Sequence, residues 1–487
     1  MAGVGVRLNK IFEKNTLTAD MTGFTYSVVI TVAPMFVVIL NLVLMQQVLG
    51  FSKTGYAERE LFSCTILYIF IFALLTASPF NAVLSRYMSD VIYEEHYEDI
   101  LPCYYIGMLL NLGLSCLIGI PFSLWEHFAG GVSVGYVFTG FCGYVSLVLV
   151  FYSMIYLSIC KDYQRISIYF LCGMAAAFLL SLFLRFVLGL GITQSMLLAM
   201  TSGFFLTAVL EHALIKRYFV ENSGRYKPVF SHFKRYWQLV AANFLYILGL
   251  YIHNFVFWTT DMRMTVAKSF VCNQPYDMAS CLAMFTNISA TVIFIARVEM
   301  HFHDKYKQYS EAVIGGRGAD IENTKRRMFR QLASELMTVA RIQFIISVVL
   351  YLLCIVILPR KGFSGMTMMI YPSLAAGYFI LFLMYASIIF LYYFNDLNGA
   401  LMTAVTFCLV TFAGSVAATH LAVIWYGVGV AAGAFAGWCV AYIRLSWVER
   451  HMDAHIFCRG DLIPRAKGIK PPGKVYDRKE KEEERRK

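Results

Sequence analysis

The chain has 487 residues, of which 59% are hydrophobic and only 15% charged, with a mean hydropathy of +0.62 and a formal net charge of +11. That balance excludes an ordinary soluble enzyme and leaves no room for a soluble domain larger than a loop or tail. The excess of Lys and Arg reads as membrane topology and attraction to anionic lipid headgroups, with no nucleic-acid partner implied.

In chain order, residues 1–25 form an amphipathic cytoplasmic N-terminus, with Val6, Leu8, Ile11, Phe12 and Leu17 set among Arg7, Lys10 and Lys14. Twelve apolar stretches follow, at 26–49, 61–84, 101–124, 132–159, 166–190, 193–215, 238–260, 278–296, 342–358, 370–393, 400–419 and 420–447. Most approach or exceed the roughly 20 residues that carry a helix across a ~30 Å hydrocarbon core, where every backbone polar group must be satisfied internally. The first is too long for a signal-peptide core and is expected to remain as an anchor.

Nearly all 41 basic residues fall in alternate gaps: Arg7 to Lys14, Arg86, Lys161 with Arg165, 216–235, 297–341, and everything from Arg444 onward. The opposite gaps hold Lys53, Arg59, Arg263, Lys268, Arg360 and Lys361. Basic loops stay cytoplasmic, so both termini are expected inside a multi-pass protein of the cytoplasmic membrane. The gap 394–399 stands out, since it belongs to the cytoplasmic set yet has no basic residue.

The longest gaps divide the spans six and six. The reading is a first six-helix bundle over 26–215, a cytoplasmic connector at 216–237, a second six-helix bundle over 238–450, and a basic cytoplasmic tail at 451–487. Within the second bundle, 297–341 is too long for a bare loop. Val298, Phe302, Tyr306, Tyr309 and Val313 recur at helical spacing, and 321–339 repeats the pattern with Lys325, Arg326, Arg327 and Arg330 on its polar side. Both predict helices on the cytoplasmic membrane surface or against a partner. Arg86 ends the second span of one half and Arg297 that of the other, which points to internal duplication. Paired with Asp90 and Glu299, these arginines are the candidates for closing the cytoplasmic side of a cavity.

No catalytic serine elbow, nucleotide loop, zinc-protease motif or dinucleotide-binding glycine fingerprint is present, so neither an enzyme nor an ATP-driven pump is expected, and no cofactor is implied. His451, His455 and Cys458 fall at i, i+4 and i+7, but a coincidence at the membrane interface outweighs a metal site. Cys272 and Cys281 flank an outward loop, and whether they bridge is open. Buried charge is costly in lipid, which draws attention to Arg185, late in the fifth span: it either snorkels outward or walls a cavity. The seventh span carries Asn243, Tyr246, His253 and Asn254. Asn243 and His253, close to three turns apart, are expected to share a polar face, with Tyr246 near it, lining a hydrated path. Pro34, Pro79, Pro121 and Pro372, with Gly249, Gly377 and the glycines of 427–437, allow kinks and close helix contacts.

Several segments together carry a family resemblance. These are Gly3 to Phe12 followed by Ala33-Pro34, then Ser85-Arg86-Tyr87-Met-Ser-Asp90 with Tyr97 to Pro102, then Asn243 to Trp258, and Tyr276-Asp277 continuing to Arg297-Val-Glu299. In this order, out to about residue 450, the chain resembles the PelG family, the polytopic subunit of an exopolysaccharide system. The resemblance implies an all-α integral membrane fold of about 12 transmembrane helices in two six-helix bundles, like the multidrug and polysaccharide flippases. It also implies export of a galactosamine-rich, partly cationic polysaccharide, with a cytosolic glycosyltransferase and small membrane subunits as partners. One departure is visible: where that family is expected to have an Asp-Lys pair before Phe-Val-Phe-Trp, this chain has His253-Asn254. The competing expectations are a lipid-linked oligosaccharide flippase or drug exporter of the same fold, and a non-transporting assembly subunit of a polysaccharide synthase.

Overall fold

The computed structural model describes residues 17–160, 162–297, 302–360 and 364–453. They form an almost entirely helical molecule. The first half comprises α1 (Leu17–Val48), α2 (Tyr56–Tyr93), α3 (Ile100–Phe128), α4 (Val134–Ile159), α5 (Tyr163–Phe186) and α6 (Ile192–Tyr218). A short helix α7 (Lys227–Arg235) carries Pro228 in its first turn, where a missing N–H costs nothing. The second half comprises α8 (Trp237–Phe257), a hairpin of β1 (Met264–Val266) and β2 (Phe270–Cys272), and α9 (Gln274–Arg297). It continues with α10 (His303–Gly315), α11 (Gly318–Arg360), α12 (Gly365–Tyr393), α13 (Leu397–Ala418) and α14 (Val428–Asp453). Among the described residues, ten helices are long and apolar enough to cross a membrane, and α1 adds the shorter apolar segment Ala33–Val48.

Each half has its own core. One is built from residues between Val38 and Val229, the other from residues between Phe257 and Met452. The helix neighbours repeat. In the first half α1 packs on α5, α5 on α6, α6 on α4, and α4 on both α2 and α3. In the second, α8 packs on α13, α13 on α14, α14 on α12, and α12 on both α9 and α11. Taking α8, α9, α11, α12, α13 and α14 as the six counterparts, every one of those pairings recurs. The halves meet through α1 with α9 and α2 with α8, so the first helix of each packs on the second of the other. This is the arrangement that a duplicated unit gives when two copies face each other across a pseudo-two-fold axis.

Small residues set some separations. A Cβ added to Gly433 of α14 would lie 2.0 Å from the Thr411 hydroxyl of α13, and one on Gly249 of α8 would lie 2.5 Å from the Phe407 ring. These are the close approaches that small residues permit between membrane helices.

The 297–341 region departs from expectation in two ways. The stretch 321–339 is not a helix of its own, because α11 runs unbroken for 43 residues from the charged segment into the span. No glycine or proline lies between 319 and 358, so nothing stops the helix. Meanwhile α10 does not lie along a membrane surface on its apolar side. Phe302, just before it, and Tyr309 are fully buried, and the Phe302 ring meets Phe390 at 5.0 Å and Tyr393 at 5.5 Å at the end of α12. The apolar stripe covers the protein's own bundle. The N-terminal 1–16 stretch, Val298, and most of the tail lie outside the described residues.

Candidate functional site

The halves meet along a seam whose side chains are placed by α2 and α8. At the middle, Pro79 of α2 has no N–H for the carbonyl of Leu75, and the Ser78 hydroxyl donates to that carbonyl instead, at 2.9 Å. Beside this break, Asn243 of α8 donates its side-chain N–H to the Ser78 carbonyl at 2.5 Å, crossing from one half to the other. From there toward the hairpin, Ile71 and Leu75 of α2 pack with Tyr251 and Trp258, an apolar stretch of the seam.

One end of the seam is covered by the β-hairpin. The Tyr68 hydroxyl of α2 donates to the Val271 carbonyl at 2.8 Å and accepts from the Val271 N–H at 3.0 Å. Its ring stacks on Trp258 at 5.1 Å and meets Phe270 edge-on at 4.9 Å. Under the hairpin, Tyr68, Phe122, Phe141, Tyr144 and Phe270 help line a cavity of about 100 Å³ that also takes in the buried Glu126.

The other end, where α7 connects the halves, has a different latch. Arg86 of α2 donates through Nη1 to the Asn395 side-chain oxygen at 2.8 Å, and its guanidinium lies 4.2 Å above the Tyr236 ring. The expected Arg86–Asp90 pairing is therefore corrected: Arg86 reaches across to the second half, and Asp90 sits 3.8 Å from His232 of α7. One turn separates Arg86 from Asp90, and Asn395, which accepts from Arg86 instead, takes a left-handed backbone, φ +55°. Next to it, Asp396 accepts two bonds from Arg444 of α14, at 2.9 and 2.8 Å, and caps α13 through the Gly399 N–H. The gap 394–399, which has no basic residue of its own, is reached by two arginines from elsewhere. Arg297 ends α9 with its side chain outside the described residues, as is the whole of Glu299.

The remaining candidates of α8 divide. Asn243 and His253 do not share a face, since ten residues at ~100° each leave them about 80° apart. His253 is fully buried in the second half, with Nδ1 at 2.9 Å from the Tyr276 hydroxyl and its ring edge-on to Tyr378 of α12. Tyr246, two turns earlier, stacks on Tyr385 of the same helix at 5.4 Å. Asn254 donates to Asp277 Oδ1 at 2.7 Å. Arg185 donates through Nη1 to the Leu190 carbonyl at 2.9 Å, just past the end of α5.

Sequence reading passed over Asp277 as a site residue. Its carboxylate, 8% exposed, accepts from Asn254, the Trp258 indole N–H and the Asn273 backbone N–H, all within 3.0 Å. Ser280, one turn on, lies between Asn254 and the Tyr378 hydroxyl at 3.5 and 3.3 Å. The available signal was an acid in the first turn of a span, facing an Asn and a Trp four residues apart on the preceding one.

Cys272 does not face Cys281, which is exposed on α9; its sulfur lies 3.3 Å from that of Cys64. His451 bonds the Trp447 carbonyl within its own helix, while His455 and Cys458 lie outside the described residues.

The comparisons agree with this architecture. A family model described as "PelG: Putative exopolysaccharide Exporter (EPS-E)" matches residues 1–457. The chain belongs to the PelG family. It is a transporter family and not an enzyme family. No curated protein matches the sequence. Among solved structures, an outward-facing multidrug resistance MATE transporter of the MOP superfamily superposes with a TM-score of 0.61 at 12% identity, covering 87% of this chain and 96% of that one. A MOP superfamily transporter from Pyrococcus furiosus gives 0.58 at 13%, covering 87% and 96%. A point mutant of the Vibrio cholerae MATE transporter VcmN gives 0.58 at 11%, covering 93% and 100%. The PelG-family chain is thus a multi-pass integral membrane protein with a MATE-like fold.

Proposed function

We propose that this protein carries an amino-sugar-rich exopolysaccharide, or its precursor, across the cytoplasmic membrane, opening the seam at its two ends in turn. The observation that carries this reading is the pair of dissimilar latches on mirrored halves. Tyr68 and the hairpin hold one end, and Arg86 with Asn395 and Tyr236 holds the other. Both are built from hydrogen bonds and ring contacts that break without disturbing either core. A polar chain cannot cross hydrocarbon, so such a seam is the route open to it. The alternating charge supports a cytoplasmic position for the α7 end. There, Arg326, Arg327 and Arg330 of α11 are exposed, a surface suited to a cytosolic glycosyltransferase and its small membrane subunits.

The test is Arg86→Gln in the full chain. A charge-assisted hydrogen bond contributes about 1.5–3 kcal/mol, enough to upset the balance of open and closed states by tenfold or more. Secreted polymer should fall about tenfold with an unchanged amount of protein in the membrane. Asn395→Ala should do the same, and the double variant should be no worse than either single one. Normal secretion from all three would leave the protein as an assembly subunit that does not itself open.

A further inference from the structure

We propose that Cys64 and Cys272 are a disulfide-forming pair that clamps the two halves together at the hairpin end. Cys64 lies on α2, in the first half, and Cys272 ends β2, in the second; their sulfurs are 3.3 Å apart. Both are buried, at 2% and 3% exposure, so each sulfur has its position dictated by packing. One turn along α2, Tyr68 bonds both polar groups of the Val271 backbone, next to Cys272. On the other side, the hairpin register sets Cys272 opposite Met264. A disulfide needs the sulfurs at about 2.05 Å, so closure asks for about 1.3 Å of approach, within reach of small side-chain rotations.

The chemistry balances with a disulfide donor as oxidant. A thiolate of the pair attacks a sulfur of the donor's S–S bond and expels one donor thiol, leaving a mixed disulfide. The second cysteine then attacks the first, forming the Cys64–Cys272 bond and expelling the second donor thiol. The pair loses two electrons and two protons, and the donor gains both. The location suits this reaction, because the alternating charge puts the hairpin on the non-cytoplasmic side, where disulfides form and persist. This location and the consequence for transport rest on the proposed function. A covalent link across 208 residues of sequence stops the hairpin from lifting off α2. The oxidised protein is held shut at that end; the reduced protein is free to open.

The experiment uses the full chain in its native membranes, exposed to diamide or to dithiothreitol, with free thiols then blocked by N-ethylmaleimide. Peptides separated without reduction should include one joining Cys64 to Cys272 after diamide and none after dithiothreitol, and Cys281→Ser should leave the link in place. Secretion should fall at least tenfold on oxidation and recover on reduction. Cys64→Ser, Cys64→Ala and Cys272→Ser proteins, present in normal amounts, should secrete equally under both conditions. Both thiols carrying N-ethylmaleimide after diamide would overturn the pair. A link that forms while secretion stays unchanged would overturn the clamp. Absence of secreted polymer from the reduced parent protein would count against the export reading and not against the link, which the peptide measurement reads on its own.

Discussion

Asp277 shows how a single residue is held in a place that punishes its loss. Three donors converge on its carboxylate, and each would be stranded in a dry environment if it went. A buried donor without a partner costs about 1–3 kcal/mol. Asp277→Ala should therefore lower the thermal midpoint in detergent by several degrees, whereas Asp277→Asn, which keeps an acceptor, should lower it less. His232 makes a second case, in the α7 helix between the halves. Burial, followed by the charges of Arg86 and Arg235, pushes its imidazolium down to about 4 from an ordinary 6.5. The fold thus holds the neutral ring, and the unfolded chain takes up its proton first as pH falls. Its contribution is complete above pH 6.5 and lost on the way down through pH 4. Thermal midpoints measured across that interval should fall more steeply for the parent protein than for His232→Gln.

Among elements, α2 and the α13–α14 pair matter most. At 38 residues α2 is about 57 Å long at 1.5 Å per residue, well beyond the hydrocarbon core, which is how it carries Tyr68 to one latch and Arg86 to the other. The proline near its middle lets Asn243 grip its backbone from the other half. Between α13 and α14 the limit is closeness. Gly433→Val would drive a side chain into Thr411, and overpacking of this kind costs about 1–3 kcal/mol or more. It should reduce both the thermal midpoint and the amount of protein in the membrane. Gly113→Ala, on α3, where an added Cβ meets nothing within 4 Å, should leave both unchanged. The helices themselves were legible because apolar length is a strong signal in lipid. Their ends were not: α11 absorbs a charged segment read as separate, since α-helix continues wherever no residue breaks it, regardless of polarity.

For the whole molecule, duplication is visible in sequence only as Arg86 and Arg297 at matching places. In the structure it is plain in the repeated neighbours of six helices. Packing keeps a pattern of contacts while individual side chains drift, so the repeat survives in three dimensions after it has faded along the chain. The same reason explains the site. Asn243 and Arg86 were read as functional, yet their partners, Ser78 and Asn395, lie 165 and 309 residues away and could not be inferred from spacing. The sequence alone determined that this is a multi-span membrane protein, because hydrocarbon thickness and the cost of unpaired backbone leave few solutions for such a composition, and its ordered motifs carried the resemblance to the PelG family. Only the tertiary structure decided which residues bridge the seam, that Arg86 holds Asn395 instead of Asp90, and that Cys272 faces Cys64. Those pairings depend on the rotation of each helix about its axis, which is set by the summed packing of both halves and by no local run of residues.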